Sequence, residues 1–185
     1  MQIKNYKNQL LISMPLVRGE FFSKSVVFMY EHSAKEGGLG FIINKPLSAA
    51  LGNVFEHLNI PVKVEKVAER QIFTGGPMGP DQGFVIHDSV SSADRKNNLS
   101  VTVSTTREIL VDIAAGKGPD NFMITLGYSG WEPGQLEKEI QQNDWLVVPL
   151  DKKIIFDTPI AQRWSVAAQS IGIDMSRLSS QVGHA

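Results

Sequence analysis

Ser25-Val26-Val27-Phe28-Met29-Tyr30 and Leu39-Gly40-Phe41-Ile42-Ile43-Asn44 decide the fold class, because both are short, apolar, β-branched or aromatic runs bounded by polar and glycine-rich sequence. Runs of this length and composition read as strands. Gly37-Gly38 introduce the second run as the start of a hairpin or loop, and no helical pattern follows them. On either side of this pair the same signature recurs at Leu10–Met14, Gln71–Thr74, Phe84–His87, Leu99–Val103, Asn121–Leu126, Trp145–Val148 and Ile154–Phe156.

Four segments read as helices instead. After Ser48, the residues Leu51, Val54, Phe55 and Leu58 fall on one helical face, and Asn59 and Pro61 stop it. Thr105-Thr106-Arg107-Glu108 has the form of a capping box, followed by Ile109, Leu110 and Ile113 and closed by Gly116. A third helix after Pro133 offers only Leu136 and Ile140 to a core, while Glu137, Lys138, Glu139, Gln141 and Gln142 predict a wet surface. The last opens at Asp157-Thr158-Pro159 and lines up Ile160, Trp164, Ala167, Ala168 and Ile171 before Gly172. Strands and helices do not alternate in strict βαβ order. The pattern therefore predicts an α+β fold with a mixed, strongly bent sheet.

The chain has 185 residues, which suits a single domain over 1–185. Such a domain buries about 70% of the surface of its unfolded chain and needs no cross-links. It has no cysteine, so disulfides, thiolate metal sites and a cysteine nucleophile are excluded. Eighteen Lys and Arg against 19 Asp and Glu leave a net charge of −1, with the two signs interspersed. Without a basic stripe, direct DNA binding is disfavoured. The apolar run Leu10–Val17 follows Lys4 and Lys7, but it is short, contains Pro15 and leads into Arg18 and Glu20. It reads as a buried strand rather than an export signal, and no run is long enough to span a bilayer. The expected location is the cytosol, without membrane association. Ser89–Asn98 is polar and charged, and reads as a surface loop.

Several segments carry residues suited to chemistry. Thr74-Gly75-Gly76-Pro77-Met78-Gly79-Pro80-Asp81-Gln82-Gly83 is dense in turn residues. Its prolines delete the amide donors a phosphate loop needs, and no Lys-Ser/Thr follows, so a rigid connection is favoured. Glu31-His32 and His87-Asp88 end two strands and could meet at a sheet edge, but no paired histidine spacing marks a metal site. His57 falls on a helix and His184 in the tail. Ser104 stands at a strand-to-helix junction, without the Gly-x-Ser-x-Gly elbow. Together with Thr105, Thr106, Arg107 and the helix amides it could hold an anion, although a plain N-cap needs the same hydroxyls. Leu126-Gly127-Tyr128-Ser129-Gly130-Trp131-Glu132-Pro133-Gly134-Gln135-Leu136 is the most distinctive stretch. It reads as an aromatic loop walling a shallow pocket, or as a segment folded onto the core. The flanking glycines favour partial exposure of Trp131.

Taken in order, these segments resemble the YqgE/AlgH family. The likeness runs from Leu10-Leu11-Ile12-Ser13-Met14-Pro15 through Gly40-Phe41-Ile42-Ile43-Asn44-Lys45-Pro46, Gly75-Gly76-Pro77 and Gly83-Phe84-Val85-Ile86-His87. It continues through Val103-Ser104-Thr105 and Leu126–Trp131 to Gly183-His184-Ala185. The resemblance implies a bifurcated sheet curled into a pseudo-barrel with about four flanking helices. Members are often labelled transcriptional regulators, and no helix-turn-helix pair here supports a direct reading of that label. Relatives often place a cysteine before the Glu-His pair, where this chain has Tyr30. No catalytic residue, cofactor or metal carries over.

The sequence is best read as a non-enzymatic cytosolic regulator that binds a small ligand or a protein partner. Its candidate pocket residues are Glu31, His32, Asn44, Lys45, Gly75, Gly76, His87, Ser104, Thr105, Tyr128, Trp131 and Gln135. The alternative is a hydrolase-like or transferase-like enzyme using His32 or His87 with a neighbouring carboxylate. It requires Glu31, His32, His87 and Ser104 to converge.

Overall fold

The computed structural model describes residues 5–88 and 101–180. Nine strands are present among the described residues: β1 Gln9–Ser13, β2 Val26–Ser33, β3 Gly37–Ile42, β4 Pro46–Ala50, β5 Gln71–Thr74, β6 Met78–Asp88, β7 Val101–Ser104, β8 Phe122–Trp131 and β9 Trp145–Pro149. They form one mixed sheet in the order β4-β5-β8-β3-β2-β1-β9, with β6 added to β8 and β7 to β6. The β5–β8 pair is parallel, and the other pairs are antiparallel. The fold is α+β.

The sheet branches at β8. The first half of this strand lies between β5 and β6, and its last three residues pair with β3 instead. Gly127 sits at the change of partner with φ of +74°. A Cβ there would lie 2.7 Å from the Gly76 carbonyl oxygen and 2.8 Å from that of Met78. Only glycine permits both the left-handed bend and the close approach. The two ends of the strand order, β4 and β9, do not pair among the described residues, so the sheet bifurcates without closing into a barrel.

Branching separates two packing environments. In β1, β2 and β3, alternate residues serve opposite faces, and both faces are buried. Leu10, Ile12, Val26, Phe28 and Phe41 pack under the C-terminal helices, while Leu11, Val27, Met29 and Ile42 face the opposite side. Burial on both faces explains why these strands read as unbroken apolar runs. On the other branch, Ile72, Val85, Phe122 and Ile124 pack against helices α1 (Leu51–His57) and α3 (Arg107–Ala114).

Seven α-helices occur among the described residues, three more than the sequence patterns predict. The additions are short: α2 (Glu65–Ala68), α5 (Lys152–Phe156) and α7 (Met175–Ser180). Ile154–Phe156, expected as a strand, lies in α5. Asp151 caps it by accepting the Lys153 amide at 2.9 Å. Three apolar residues cannot distinguish strand from helix, and the local cap decides. Asp157 and Thr158 finish α5 rather than opening the last helix; the Thr158 hydroxyl donates to the Lys153 carbonyl. A 3₁₀ turn, Ile160–Gln162, then leads into α6 (Arg163–Gln169). The aromatic stretch Tyr128–Trp131 belongs to β8, not to a loop. Ser89–Asn98 and the Gly183-His184-Ala185 tail lie outside the described residues, as do Leu99 and Ser100 of the strand expected at Leu99–Val103.

Candidate functional site

The histidines whose convergence the enzyme alternative requires are held at opposite ends of β8. His32 pairs across β3 with Gly38, which pairs with Trp131; His87 pairs with Phe122. Each ring has its own partners. His32 is buried, its Nδ1 accepting the Tyr6 amide at 3.2 Å, which leaves the neutral ring's proton on Nε2. That nitrogen lies 3.2 Å from a carboxylate oxygen of Glu137 on α4 (Gln135–Gln141). The distance is that of an ion pair, yet the angles do not make a hydrogen bond, and neither Glu137 oxygen has a hydrogen-bond donor among the described residues. Burial, then the Glu137 charge, holds the Tyr6 hydroxyl above its ordinary range. Glu31, the expected partner, is exposed.

His87 donates from Nδ1 to the Asp88 carbonyl at 2.7 Å, because a carbonyl can only accept. Nε2 therefore accepts the Ser104 hydroxyl at 2.9 Å. The Asp88 carboxylate accepts instead from the Asn121 backbone amide at 3.3 Å and side-chain amide at 2.9 Å. The arrangement is a serine–histidine pair oriented by a backbone carbonyl.

The aromatic segment packs inward, while Trp131 and Gln135 border a cleft of about 390 Å³ with Phe22, Glu139 and Trp145. Trp131 is 7% exposed, which overturns the expectation of a partly exposed ring in a binding loop. Its indole donates to Glu139 at 2.8 Å, and Trp145 donates to the same carboxylate oxygen at 2.8 Å. Gln135 uses its amide on Glu139 and on the Glu132 amide. The predicted wet surface of this helix is therefore corrected at Glu137 and Glu139, whose carboxylates turn towards the protein.

Other candidates also serve the fold. Asn44 bridges the Val26 amide and the Lys24 carbonyl, each at 2.8 Å. Gly75 and Gly76 allow backbone contact with β8: a Cβ on either would fall 2.1–2.3 Å from a carbonyl oxygen of Gly127 or Tyr128. The Tyr128 ring packs on Phe84. Lys45 borders a shallow cleft with Pro46 and Pro77. Among the described residues, no group of three or more His, Asp or Glu side chains is placed to hold a metal ion.

Of the twelve candidates, Thr105 borders a cavity of about 630 Å³ between α1 and α3. Buried Ile72, Val85 and Ile124 line its interior. Val54 and Leu58 of α1 and Leu110 of α3 are only half-buried, because their outer sides meet this space. Exposed Asn53, His57, Asp81, Thr105, Thr106 and Arg107 form the rim. The capping box is not formed: Thr106 occupies the N-cap position without a side-chain hydrogen bond to the helix amides. Neither Arg107 nor His57 has a side-chain hydrogen bond or ion pair among the described residues. An apolar interior of this size with a few free polar groups is the usual form of a small-molecule site.

The helical stripe of α1 was legible in the sequence, but not that part of it stays uncovered. The profile of the family described as AlgH-like matches residues 10–176. The chain belongs to this family. A UPF0301 protein of Coxiella burnetii is 47% identical over 178 residues, covering 96% of each chain. One from Pseudoalteromonas translucida is 37% identical, over 99% of this chain and 100% of the relative. The solution structure of AlgH from Pseudomonas aeruginosa is similar at a TM-score of 0.76 and 38% identity, covering 98% of this chain and 97% of that one. A crystal structure from Corynebacterium diphtheriae, at 20% identity and a TM-score of 0.70 over 97% and 94%, shares the fold. No helix among the described residues is long and apolar enough to cross a membrane.

Proposed function

We propose that this AlgH-like chain is a non-enzymatic cytosolic regulatory protein that binds a small amphipathic molecule between α1 and α3. The observation that carries this reading is the cavity of about 630 Å³, apolar inside and rimmed by polar side chains. Its volume lies within the roughly 300–1,000 Å³ common for small-ligand sites. The ligand's apolar body would replace water against Ile72, Val85 and Ile124, and its polar end would meet the rim. Arg107 and His57 favour an acidic head group, which would sit away from Asp81.

The test uses 1-anilinonaphthalene-8-sulfonate, an amphipathic anion whose fluorescence rises in apolar sites. The wild type should bind it saturably, and Leu110→Trp should abolish binding while unfolding at the same denaturant concentration. Equal binding by both folded proteins would refute the assignment.

A second reading is favoured by one observation, the Ser104–His87 hydrogen bond of 2.9 Å. It is an acyl-transfer enzyme with Ser104 as nucleophile and His87 as base. A fluorophosphonate that labels Ser104 in the folded wild type, and not in His87→Ala, would favour it over simple binding.

A further inference from the structure

A second, smaller cleft of about 190 Å³ lies where β5 and β8 run parallel beneath α6. Two arginines line it. Arg163, the first residue of α6, is 6% exposed. Its Nε donates to the Thr158 carbonyl at 3.1 Å and one terminal nitrogen donates to the Ile43 carbonyl, while its guanidinium lies 5.4 Å from the centre of the Phe73 ring. Arg70, which immediately precedes β5, reaches the Phe122 carbonyl at 3.3 Å and stacks 4.0 Å from the Phe122 ring centre.

Neither guanidinium has a carboxylate partner among the described residues. The acidic residues adjoining these segments in sequence, Glu69 and Asp157, pair with neither. Carbonyl oxygens and ring faces orient the two cations, but they carry no net negative charge. Burial pushes the Arg163 guanidinium down to about 10, which leaves it charged at neutral pH, and lowers Arg70 as well. For Arg163, a buried charge without a counter-charge is costly, and such groups are ordinarily paired or bound to an ion.

We propose that this cleft is an anion site, in which Arg70 and Arg163 together hold phosphate or the phosphoryl end of a small phosphate monoester. The lining supports that chemistry. Leu51, Phe73, Met123 and Ile155 line the cleft beside the buried Arg163, and the low-water surroundings strengthen its charge–charge contacts. The remaining guanidinium donors match the oxygens of a tetrahedral oxyanion. The volume is below the range of drug-sized ligands and suits a compact anion. The site is separate from the α1/α3 cavity, and its occupation does not depend on that reading.

Arg163 fastens α6 to the end of β3, so its removal endangers the fold. The test therefore rests on the exposed Arg70. Thermal unfolding is followed in increasing inorganic phosphate, with sodium chloride at equal ionic strength as the control. A ligand that binds the native state raises the midpoint as its concentration rises. Wild type should be stabilised by phosphate beyond chloride. Arg70→Gln, folded in chloride, should bind phosphate about tenfold more weakly than wild type, the effect of one charge-assisted contact. Methyl phosphate provides a second arm. If it stabilises as well as phosphate does, the site takes a phosphoryl group carried on a small molecule; a response to phosphate alone assigns the free ion. Equal shifts in chloride and in both phosphates, or an undiminished phosphate response in Arg70→Gln, would overturn the proposal.

Discussion

The two ends of β8 are built for opposite purposes. At the Trp131 end, α4 lies down on the sheet, and Glu139 binds both indoles with one oxygen. At the Phe122–Leu126 end, α1 and α3 stand apart and leave about 630 Å³ between them. Polar groups in the first region are spent on the fold, or buried beside each other as His32 and Glu137 are. Those around the second, Arg107, His57 and Thr106, have no such partners among the described residues. Distinctive sequence thus marks the structural corner, and unremarkable sequence surrounds the candidate site. A residue becomes available for a ligand when the fold leaves it unused.

The largest effect is expected at the closed corner. Trp131→Ala should destabilise the protein by about 4 kcal/mol, since it removes a buried ring from a packed cluster. Denaturant midpoints equal to wild type would break the contrast between the two ends. Glu139→Ala should cost about 3 kcal/mol, because it leaves two buried indole N–H groups without an acceptor. A neutral result there would show that the indoles find water instead.

Substitutions around the cavity should separate stability from binding. Leu110→Trp should change stability by about 1 kcal/mol or less and still block the anilinonaphthalene probe. Arg107→Ala should leave stability within about 0.5 kcal/mol and weaken binding of this anionic probe several-fold, an effect that added salt reduces. Loss of stability comparable to Trp131→Ala at either position would erase the distinction. The smallest effect concerns nucleic acid. With a net charge of −1, duplex DNA should bind with a dissociation constant near ~10⁻⁴ M or weaker at physiological salt, measurable by anisotropy.

Much of the sheet could be read from residues alone, because β1, β2 and β3 are apolar on both faces and bounded by turns. Gln71–Thr74 is recovered without error, and Trp145–Val148 falls one residue short of β9. The failures have local causes. Asp151 turned Ile154–Phe156 into a helix, and the bend at Gly127 let β8 run on through a segment that resembles a loop. The site was less legible. His32 and His87 are strand-end histidines in sequence, and only the branching of the sheet shows that they cannot meet. Thr105 and Arg107 were suggested by the strand-to-helix junction. His57, Asn53 and Asp81 give no sign of sharing a rim, because their nearness depends on how α1 packs beside β6.

The most direct test maps the probe onto the backbone. Amide shifts of the ¹⁵N-labelled protein are followed during titration with 1-anilinonaphthalene-8-sulfonate, and both ends of β8 are read in the same spectra. The largest shifts should fall on Asn53, Val54 and Leu58 of α1, on Thr105, Thr106 and Leu110 around α3, and on Val85. Gly130, Trp131, Gln135 and Glu139 should hardly move. Shifts centred on Trp131 and α4, with α1 and α3 silent, would contradict the account and return the binding site to the aromatic segment.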